Sequence, residues 1–299
     1  MSAPGPTAQA PDPALDLPEV EGITHRFVDA DGLRVHVAEA GEGPPVLLLH
    51  GWPQHWFMWR NVIERLAPSF RLIAPDLRGF GWTEAPGYGY DGPTFAADQI
   101  ALLDALEIET ASVIGHDWGG WTAFLLGIEH SDRIERMVVC NSPHPWGKLE
   151  PRAALDLWRT WYAVLMATPV LGPALMQRSD FAAGILSRGN VGVPFSKADL
   201  RAYLSSFREP ARAQAVSSLY RYYFRAFLDG ARGRWRSKRL DVPTLMLFGA
   251  DDLYVPPRLL RGYERYASEM EVELVPDSGH FVVDEKPDLV ARRALAYLS

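Results

Sequence analysis

Hydrophobic residues follow two alternating patterns along the chain, one typical of strands and the other of helices. Short apolar runs, together with two segments that flank the turn Asp31-Gly32, predict strands. These segments are residues 23–28, 33–40, 46–49, 71–74, 112–114, 136–140, 244–248 and 271–275. Because strand and helix patterns then follow one another, we predict an α/β fold with a mostly parallel eight-stranded sheet and helices on both faces.

Apolar residues three and four positions apart predict the helices between these strands. The spacing is clear in Trp56, Trp59, Ile63 and Leu66. Further helices are predicted at 95–106, in the segment that ends at residue 129, and after Pro287.

The middle of the chain interrupts the alternation, because it contains only helical spacings. We therefore predict an all-helical cap at 145–237, inserted into a core formed by 21–144 and 238–299. Residues 1–20 are dominated by Ala, Pro and acidic side chains, a composition that predicts a disordered leader.

Composition and charge restrict the partners and the location. The 299 residues carry a net charge of -7, which argues against nucleic acid as a partner. The single Cys140 excludes an intramolecular disulfide and a metal site built on several thiolates. No apolar run is long enough to span a bilayer, and the first basic residue is Arg26. We expect a cytoplasmic protein without integral membrane association.

The segment Gly115-His116-Asp117-Trp118-Gly119-Gly120 lies between an apolar strand and a helix. Glycines two positions before and after a central residue are typical of a nucleophile elbow, in which a sharp turn exposes that residue. Asp117 therefore becomes the candidate nucleophile. The alternative is a helix-capping aspartate without chemistry, since Asp is favoured at helix starts.

A carboxylate at this position changes the reaction class. It is already ionised at neutral pH, so it attacks an electrophilic carbon without a base to remove a proton. Attack on an alkyl carbon leaves the substrate attached to Asp117 as an ester. A water molecule activated by a base must then hydrolyse this ester.

Two further segments supply candidates for that base and for an acid that orients it. His280, in Ser-Gly-His-Phe after the last strand, has the pKa range of a general base at neutral pH. A surface histidine is the alternative. Asp251 and Asp252 both follow the preceding strand, where an acid would orient the imidazole and stabilise its charged form. The pattern alone does not choose between the two aspartates.

The loop His50-Gly51-Trp52-Pro53 follows the strand at 46–49. A backbone N–H from this loop and one from the residue after the nucleophile would form an oxyanion hole. Trp52 and Trp118 are the predicted donors. The oxyanion would form when water attacks the Asp117 ester.

These segments, together with residues 76–83 (Asp-Leu-Arg-Gly-Phe-Gly-Trp-Thr), resemble the epoxide hydrolases of the α/β-hydrolase fold. The resemblance covers residues 21–299 and is weaker in the cap. It implies Asp252 as the acid, and two cap tyrosines that hold and protonate the epoxide oxygen. Tyr162 and Tyr220 are the matching residues, with Tyr223 as the competitor of Tyr220. A core tyrosine without chemistry is the alternative for both.

The resemblance also implies the substrate and its pocket. We expect a small apolar epoxide and water as substrates, with neither a cofactor nor a metal. The predicted lining consists of His50, Trp52, Trp118, Trp161 and Phe281. The aliphatic residues 163–167 depart from the family, which often has aromatic residues and a glutamine there, so the pocket shape and the particular epoxide stay open. A monomer and a homodimer are equally compatible with the sequence.

Three other functions compete with epoxide hydrolysis. Haloalkane dehalogenases share the Asp nucleophile, the histidine and the tryptophan after the elbow, but typically carry Asn where this chain has Trp52. Fluoroacetate-type dehalogenases have arginine in place of Trp118. A ligand receptor that has lost catalysis is a third class, because fold does not fix function. The apolar cap helix is also compatible with docking on a membrane, although pocket lining explains the same residues.

Overall fold

The structure is a computed structural model that describes residues 17–147 and 158–299. Most of the predicted leader therefore lies outside the described residues, as does the part of the predicted cap at 148–157. Leu17 and Val20, which we placed in the leader, are partly buried against the hydrophobic core. The ordered chain thus begins before residue 21.

One eight-stranded sheet forms the centre of the molecule, in the order β1-β2-β4-β3-β5-β6-β7-β8. Only the pairs β1–β2 and β2–β4 are antiparallel, which confirms the predicted mostly parallel sheet. The strands are β1 Thr24–Ala30, β2 Leu33–Ala40, β3 Pro45–Leu49, β4 Arg71–Pro75, β5 Ala111–His116, β6 Ile134–Cys140, β7 Thr244–Gly249 and β8 Met270–Val275.

Helices cover both faces of the sheet. They are α1 Arg60–Leu66, α2 Gly92–Ala105, α3 Trp118–Glu129, α9 Val282–Glu285 and α10 Pro287–Leu298. The helix predicted from Trp56 to Leu66 is divided into a 3-10 turn at Trp56–Trp59 and α1. The second predicted helix starts earlier than residue 95, because the Asp91 side chain caps it by accepting a hydrogen bond from the Thr94 N–H at 3.0 Å.

The described part of the predicted cap is entirely helical and lies between β6 and β7. Its helices are α4 Trp161–Ala167, α5 Leu171–Met176, α6 Ser179–Gly189, α7 Lys197–Leu204 and α8 Pro210–Ala231. Arg212 of α8, which is 1% exposed, donates hydrogen bonds to the carbonyls of Phe80 and Thr83 in the core. Because a buried charge is costly unless it is hydrogen-bonded, these bonds fix the cap on the core. None of the described helices combines the length and hydropathy needed to cross a bilayer.

The central strands carry buried aliphatic side chains on both faces, as expected for a sheet covered by helices. Because β3, β5, β6, β7 and β8 are parallel, their carboxyl ends meet at one edge. The loops that leave this edge bring together residues that are far apart in the sequence, and they form the candidate site.

Candidate active site

Asp117 lies on a strained turn between β5 and α3. Its backbone has φ 51° and ψ -116°, a conformation that non-glycine residues rarely adopt. Neighbouring glycines make the turn possible: a Cβ on Gly119 would lie 2.0 Å from the Leu49 carbonyl oxygen, and one on Gly115 would lie 2.5 Å from the Gly119 carbonyl oxygen. The turn has the geometry of a nucleophile elbow. Asp117 has no side-chain capping bond, unlike a helix-capping aspartate.

Backbone N–H groups from both sides stabilise the Asp117 carboxylate. The Trp52 N–H donates to Oδ2 at 3.0 Å, and the neighbouring Trp118 N–H also favours the charged form. Gly51 permits the approach, because a Cβ there would lie 2.4 Å from the Cβ of Asp117. These are the two donors predicted for an oxyanion hole. The Asp117 side chain remains 20% exposed, so small molecules reach it.

His280 lies between two carboxylates. Its Nε2 is 3.7 Å from Asp117 Oδ1, and its Nδ1 is 2.9 Å from Asp252 Oδ2. Asp251, by contrast, is exposed, so the structure brings Asp252 and not its neighbour to the imidazole. On the other side, the 3.7 Å between Nε2 and Asp117 Oδ1 is too long for a direct hydrogen bond. Nε2 therefore faces the candidate nucleophile without being bonded to it.

Asp252 is enclosed by hydrogen-bond donors, one of which sequence reasoning missed. Its Oδ1 accepts from the N–H groups of Tyr254 and Val255, at 2.8 and 2.9 Å. The missed donor is Asn141, directly after β6, whose Nδ2 donates to Asp252 Oδ2 at 2.8 Å and to the Gly279 carbonyl at 3.1 Å. The only available signal was a polar residue at the carboxyl end of a predicted parallel strand.

Two tyrosines of the cap lie over Trp52 and Trp118, the two tryptophans predicted to form the oxyanion hole. The Tyr162 ring stacks on Trp52, with 6.0 Å between centroids, and the Tyr220 ring meets Trp52 edge-on at 5.3 Å. The two tyrosine rings are 5.8 Å apart. Neither hydroxyl makes a hydrogen bond to a described residue of the protein, although Tyr220 is only 4% exposed. Both are therefore available to a ligand.

The second cap tyrosine was open between Tyr220 and Tyr223. Tyr223 contacts Trp118 and Tyr220, with ring centroids 6.2 and 6.3 Å away. Tyr220 contacts both oxyanion-hole tryptophans and Tyr162, and it is the more deeply buried of the two. This arrangement favours Tyr220.

Comparison with known proteins gives the same assignment as the geometry. The α/β-hydrolase fold family matches residues 44–287. The chain belongs to the α/β-hydrolase family. A soluble epoxide hydrolase of Corynebacterium sp. (strain C12) is 30% identical over 93% of this chain and 98% of its own length. The AB hydrolase superfamily protein YfhM of Bacillus subtilis (strain 168) is also 30% identical, over 93% of this chain and 99% of its own.

Solved structures extend the relationship to the whole fold. The epoxide hydrolase CorEH without ligand has a TM-score of 0.80 and 31% identity, and the match covers 92% of this chain and 98% of that one. These findings confirm the predicted fold class and the resemblance to epoxide hydrolases. The protein is a hydrolase, which disfavours the alternative of a ligand receptor without catalysis.

The carboxylates of this α/β-hydrolase differ in pKa. Burial raises the pKa of Asp117 to about 6, against the opposing effects of His280 and the Trp118 and Trp52 N–H groups. Burial would also raise the pKa of Asp252, but His280 and its hydrogen-bond donors hold it below the ordinary value. Burial would lower the pKa of His280, whereas the two carboxylates raise it above the ordinary value.

Two residues of the predicted pocket lining have other positions in the hydrolase. Trp161 is 41% exposed, and its ring contacts Phe181 and Tyr162. Successive residues of a helix differ in direction by about 100°, so Trp161 points away from the inward side that Tyr162 faces. His50 is fully buried with both nitrogens bonded to backbone: Nε2 accepts from the Leu77 N–H at 2.9 Å, and Nδ1 is 3.1 Å from the Gly51 carbonyl. It shapes the loop and does not face a substrate.

The other predicted lining residues lie beside the cap tyrosines or beside His280. Trp52 and Trp118 are 3% and 8% exposed and face the cap tyrosines. Phe281 is 1% exposed and packs edge-on against His280, with ring centroids 5.1 Å apart.

Residues 76–83 hold the loop of the oxyanion hole in place. The buried Asp76 accepts hydrogen bonds from the N–H groups of Trp56 and Trp82, at 2.8 and 2.9 Å, and its Oδ2 is 2.8 Å from His36 Nδ1. Burial would raise the pKa of Asp76, but His36 and its other histidine neighbours hold it far below the ordinary value. Asp76 is therefore a structural anion that joins β2, the 3-10 turn at Trp56–Trp59 and its own loop.

Proposed function

We propose that the protein hydrolyses epoxides to vicinal diols through a covalent ester on Asp117. The observation that carries this proposal is the pairing of an elbow carboxylate with two cap tyrosines whose hydroxyls have no partner among the described residues. The epoxide hydrolases among its relatives support the same reaction. An apolar epoxide suits the aromatic surroundings of Asp117.

In the first step, Asp117 attacks one carbon of the epoxide ring. A C–O bond forms between the carboxylate and that carbon, and the ring C–O bond breaks. One of Tyr162 and Tyr220 donates its proton to the oxygen that departs and becomes a phenolate, while the other donates a hydrogen bond to the same oxygen. Burial, together with the charge of Asp117, raises the pKa of both hydroxyls well above the usual value, so they carry their protons before reaction. As Asp117 becomes an ester its charge moves to the epoxide oxygen, and proton transfer neutralises it there.

In the second step, water hydrolyses the ester. His280 Nε2 accepts a proton from water, and the oxygen of that water attacks the ester carbonyl of Asp117. The N–H groups of Trp52 and Trp118 stabilise the tetrahedral oxyanion. Asp252 fixes the orientation of His280 and stabilises its protonated form. The tetrahedral species then breaks its bond to the diol oxygen, which takes the remaining hydroxyl proton, and the proton on His280 returns to the tyrosine phenolate. The diol leaves with one original oxygen of Asp117, and the water oxygen stays in the carboxylate.

One observation favours a second candidate reaction, haloalkane dehalogenation. The indole nitrogen of Trp52 is buried and has no hydrogen-bond partner in the described part of the protein. An N–H donor in this position would suit a departing halide. The tyrosines favour the epoxide, since an alkoxide needs a proton and a halide does not.

Single turnover in ¹⁸O-labelled water tests the proposal. With an aryl epoxide in less than stoichiometric amount, we expect the label in the Asp117 peptide on mass spectrometry and none in the first diol. The Asp117→Ala variant should form no diol, and Asp251→Asn serves as the carboxylate control. Label in the first diol with none in Asp117 would contradict the covalent route. A haloalkane is assayed beside the epoxide, and halide release from it with no diol from the epoxide would establish the dehalogenase instead.

A further inference from the structure

Charge is distributed very unevenly between the cap and the core. Residues 158–237, the described helical part of the cap, contain 12 Arg and Lys residues and 4 Asp and Glu residues, a net charge of +8, although the whole chain carries -7. The rest of the chain therefore carries -15. All but two of the basic residues at 158–237 lie at exposed positions, Arg159 and Arg212 being the exceptions. The cap is thus a cationic module on an anionic core.

Apolar side chains protrude from the same module. Trp158, Trp161 and Val164, spaced three residues apart at the start of the cap, are 59%, 41% and 55% exposed. Val170, in the connection between α4 and α5, and Leu171, the first residue of α5, are 83% and 43% exposed. Exposure of so many large apolar side chains to water within one segment is unfavourable. Such an exposed patch is typical of an interaction surface.

The apolar and basic groups lie side by side. The outer face of α8 presents Arg221, Arg225 and Arg232, which follow one another at helical spacing and are exposed. Arg221 Nη1 is 3.5 Å from the Ala167 carbonyl at the end of α4. The guanidinium row therefore borders the protruding α4–α5 connection. We call Trp158, Trp161, Val164, Val170, Leu171 and this arginine row the cap face.

We propose that the cap face docks on an anionic phospholipid surface. Lipid headgroups offer negative charge to the arginines, and the boundary below them accepts tryptophan and aliphatic side chains. The surface charge of the cap would orient the molecule, because the acidic core is repelled from the same membrane. Docking would place the inward-facing side of α4, with Tyr162, directly behind the lipid contact.

The same observations disfavour two other occupants. A second cap in a symmetric dimer would oppose two strongly basic surfaces, which repel each other. A nucleic acid would match the charge and leave the protruding aliphatic groups without apolar contacts. The lipid surface matches both features. The proposal does not depend on the reaction of Asp117, because binding is measured without substrate.

Vesicle co-sedimentation tests the proposal with the full chain. We expect binding to equimolar phosphatidylglycerol and phosphatidylcholine, and none to phosphatidylcholine alone. About 0.5 M NaCl, which shortens the screening length to about 4 Å, should release the protein. Val170→Glu with Leu171→Glu, and separately Arg221→Glu with Arg225→Glu, should each weaken binding at least about tenfold.

Matched controls carry the same changes on the core. Leu274→Glu on β8 with Leu295→Glu on α10 replaces two other exposed apolar residues, and Arg136→Glu with Arg292→Glu makes the same charge change elsewhere. Controls that bind like the unchanged protein support the cap face, provided that all variants keep their thermal midpoint. Equal loss in controls and cap variants, or equal binding to both vesicle types, would overturn the proposal. So would a duplex DNA that binds more tightly than vesicles, or a dimer that the cap variants dissolve.

Discussion

The two sides of the His280 imidazole show how one protein gives two aspartates opposite properties. On one side, Asp252 is completely buried and accepts bonds from Asn141, from two backbone N–H groups and from the imidazole itself. On the other side, Asp117 is partly exposed, lies 3.7 Å from the imidazole and faces the aromatic cap. Loss of surrounding water would by itself raise the pKa of both carboxyls. The number and closeness of the donors therefore decide the direction of each pKa shift.

The difference indicates a division of labour. Asp252 is stabilised as an anion, and its four donors reduce its reactivity as a nucleophile. Asp117 has fewer donors and a raised pKa, which makes its carboxylate a stronger nucleophile while most of it stays ionised at pH 7. The same contrast suggests experiments that change one side of the imidazole and leave the other intact.

The largest effect is expected when the Asp252 side is broken. Asp252→Asn should lower the steady-state rate of diol formation by about 10³ to 10⁴, because the imidazole loses its orientation and charge stabilisation. Attack by Asp117 should continue, so one equivalent of ester accumulates and is detectable by mass spectrometry. Asp251→Asn, a change of the exposed neighbour, should leave the rate nearly unchanged. A full loss of ester formation would contradict the division of labour.

On the cap side, Tyr162→Phe combined with Tyr220→Phe should slow ester formation by about 10² to 10³, since no proton reaches the epoxide oxygen. Tyr223→Phe is the control on the same helix. Rapid-quench measurement of the ester separates this step from hydrolysis. If Tyr223→Phe slows the step more than Tyr220→Phe does, the assignment of the second tyrosine is wrong.

Stability should reveal the unfavourable environment of Asp117. Its pKa rises from 3.8 in the unfolded chain to about 6 in the fold, so folding favours the protonated form. Native stability is therefore lost as the pH rises between these values, by about 2 to 3 kcal/mol. Asp117→Asn should be more stable than the unchanged protein by that amount at pH 8 and by little at pH 4. Urea unfolding at both pH values measures the difference.

Acid should slow the two steps at different pH values. Ester formation needs ionised Asp117, so its rate should fall about tenfold between pH 7 and pH 5, following the pKa of about 6. Ester hydrolysis needs neutral His280, whose pKa is raised above the ordinary value of 6.5. As the pH falls, this step should therefore slow before ester formation does. Single-turnover profiles of each step, corrected for uncatalysed opening, test the order. A reversed order would contradict the two pKa directions.

The smallest effect is expected at Asn141. Asn141→Ala removes one donor from Asp252, which should raise the pKa of Asp252 and lower the rate of ester hydrolysis about tenfold or less. Ester formation and KM should not change, because Asn141 does not contact Asp117 in the structure. Asn141→Ser offers a shorter donor and should restore part of the rate. Equal loss of both steps would indicate a general disturbance of the site instead.

The turn that exposes Asp117 was predictable from the sequence because consecutive residues encode it. A strand, a glycine pair and a helix within a dozen positions define the elbow, and close packing of the backbone requires those glycines. His280 follows similarly from its place after the last strand. The alternation of strands and helices predicted the sheet, since burial on one or two faces sets the period of apolar residues.

Tertiary structure alone decided the questions that depend on direction and on distant partners. The residue pattern left Asp251 and Asp252 open, and the family resemblance implied Asp252. The folded chain shows that Asp252 contacts His280 and that its donor, Asn141, is 111 positions away. Trp161 and Tyr162 are adjacent on a helix and face opposite environments. A pattern of residue types records which side chains are apolar or charged. Which carboxylate is held ionised depends on donors brought together from several loops, and only the folded chain sets those distances.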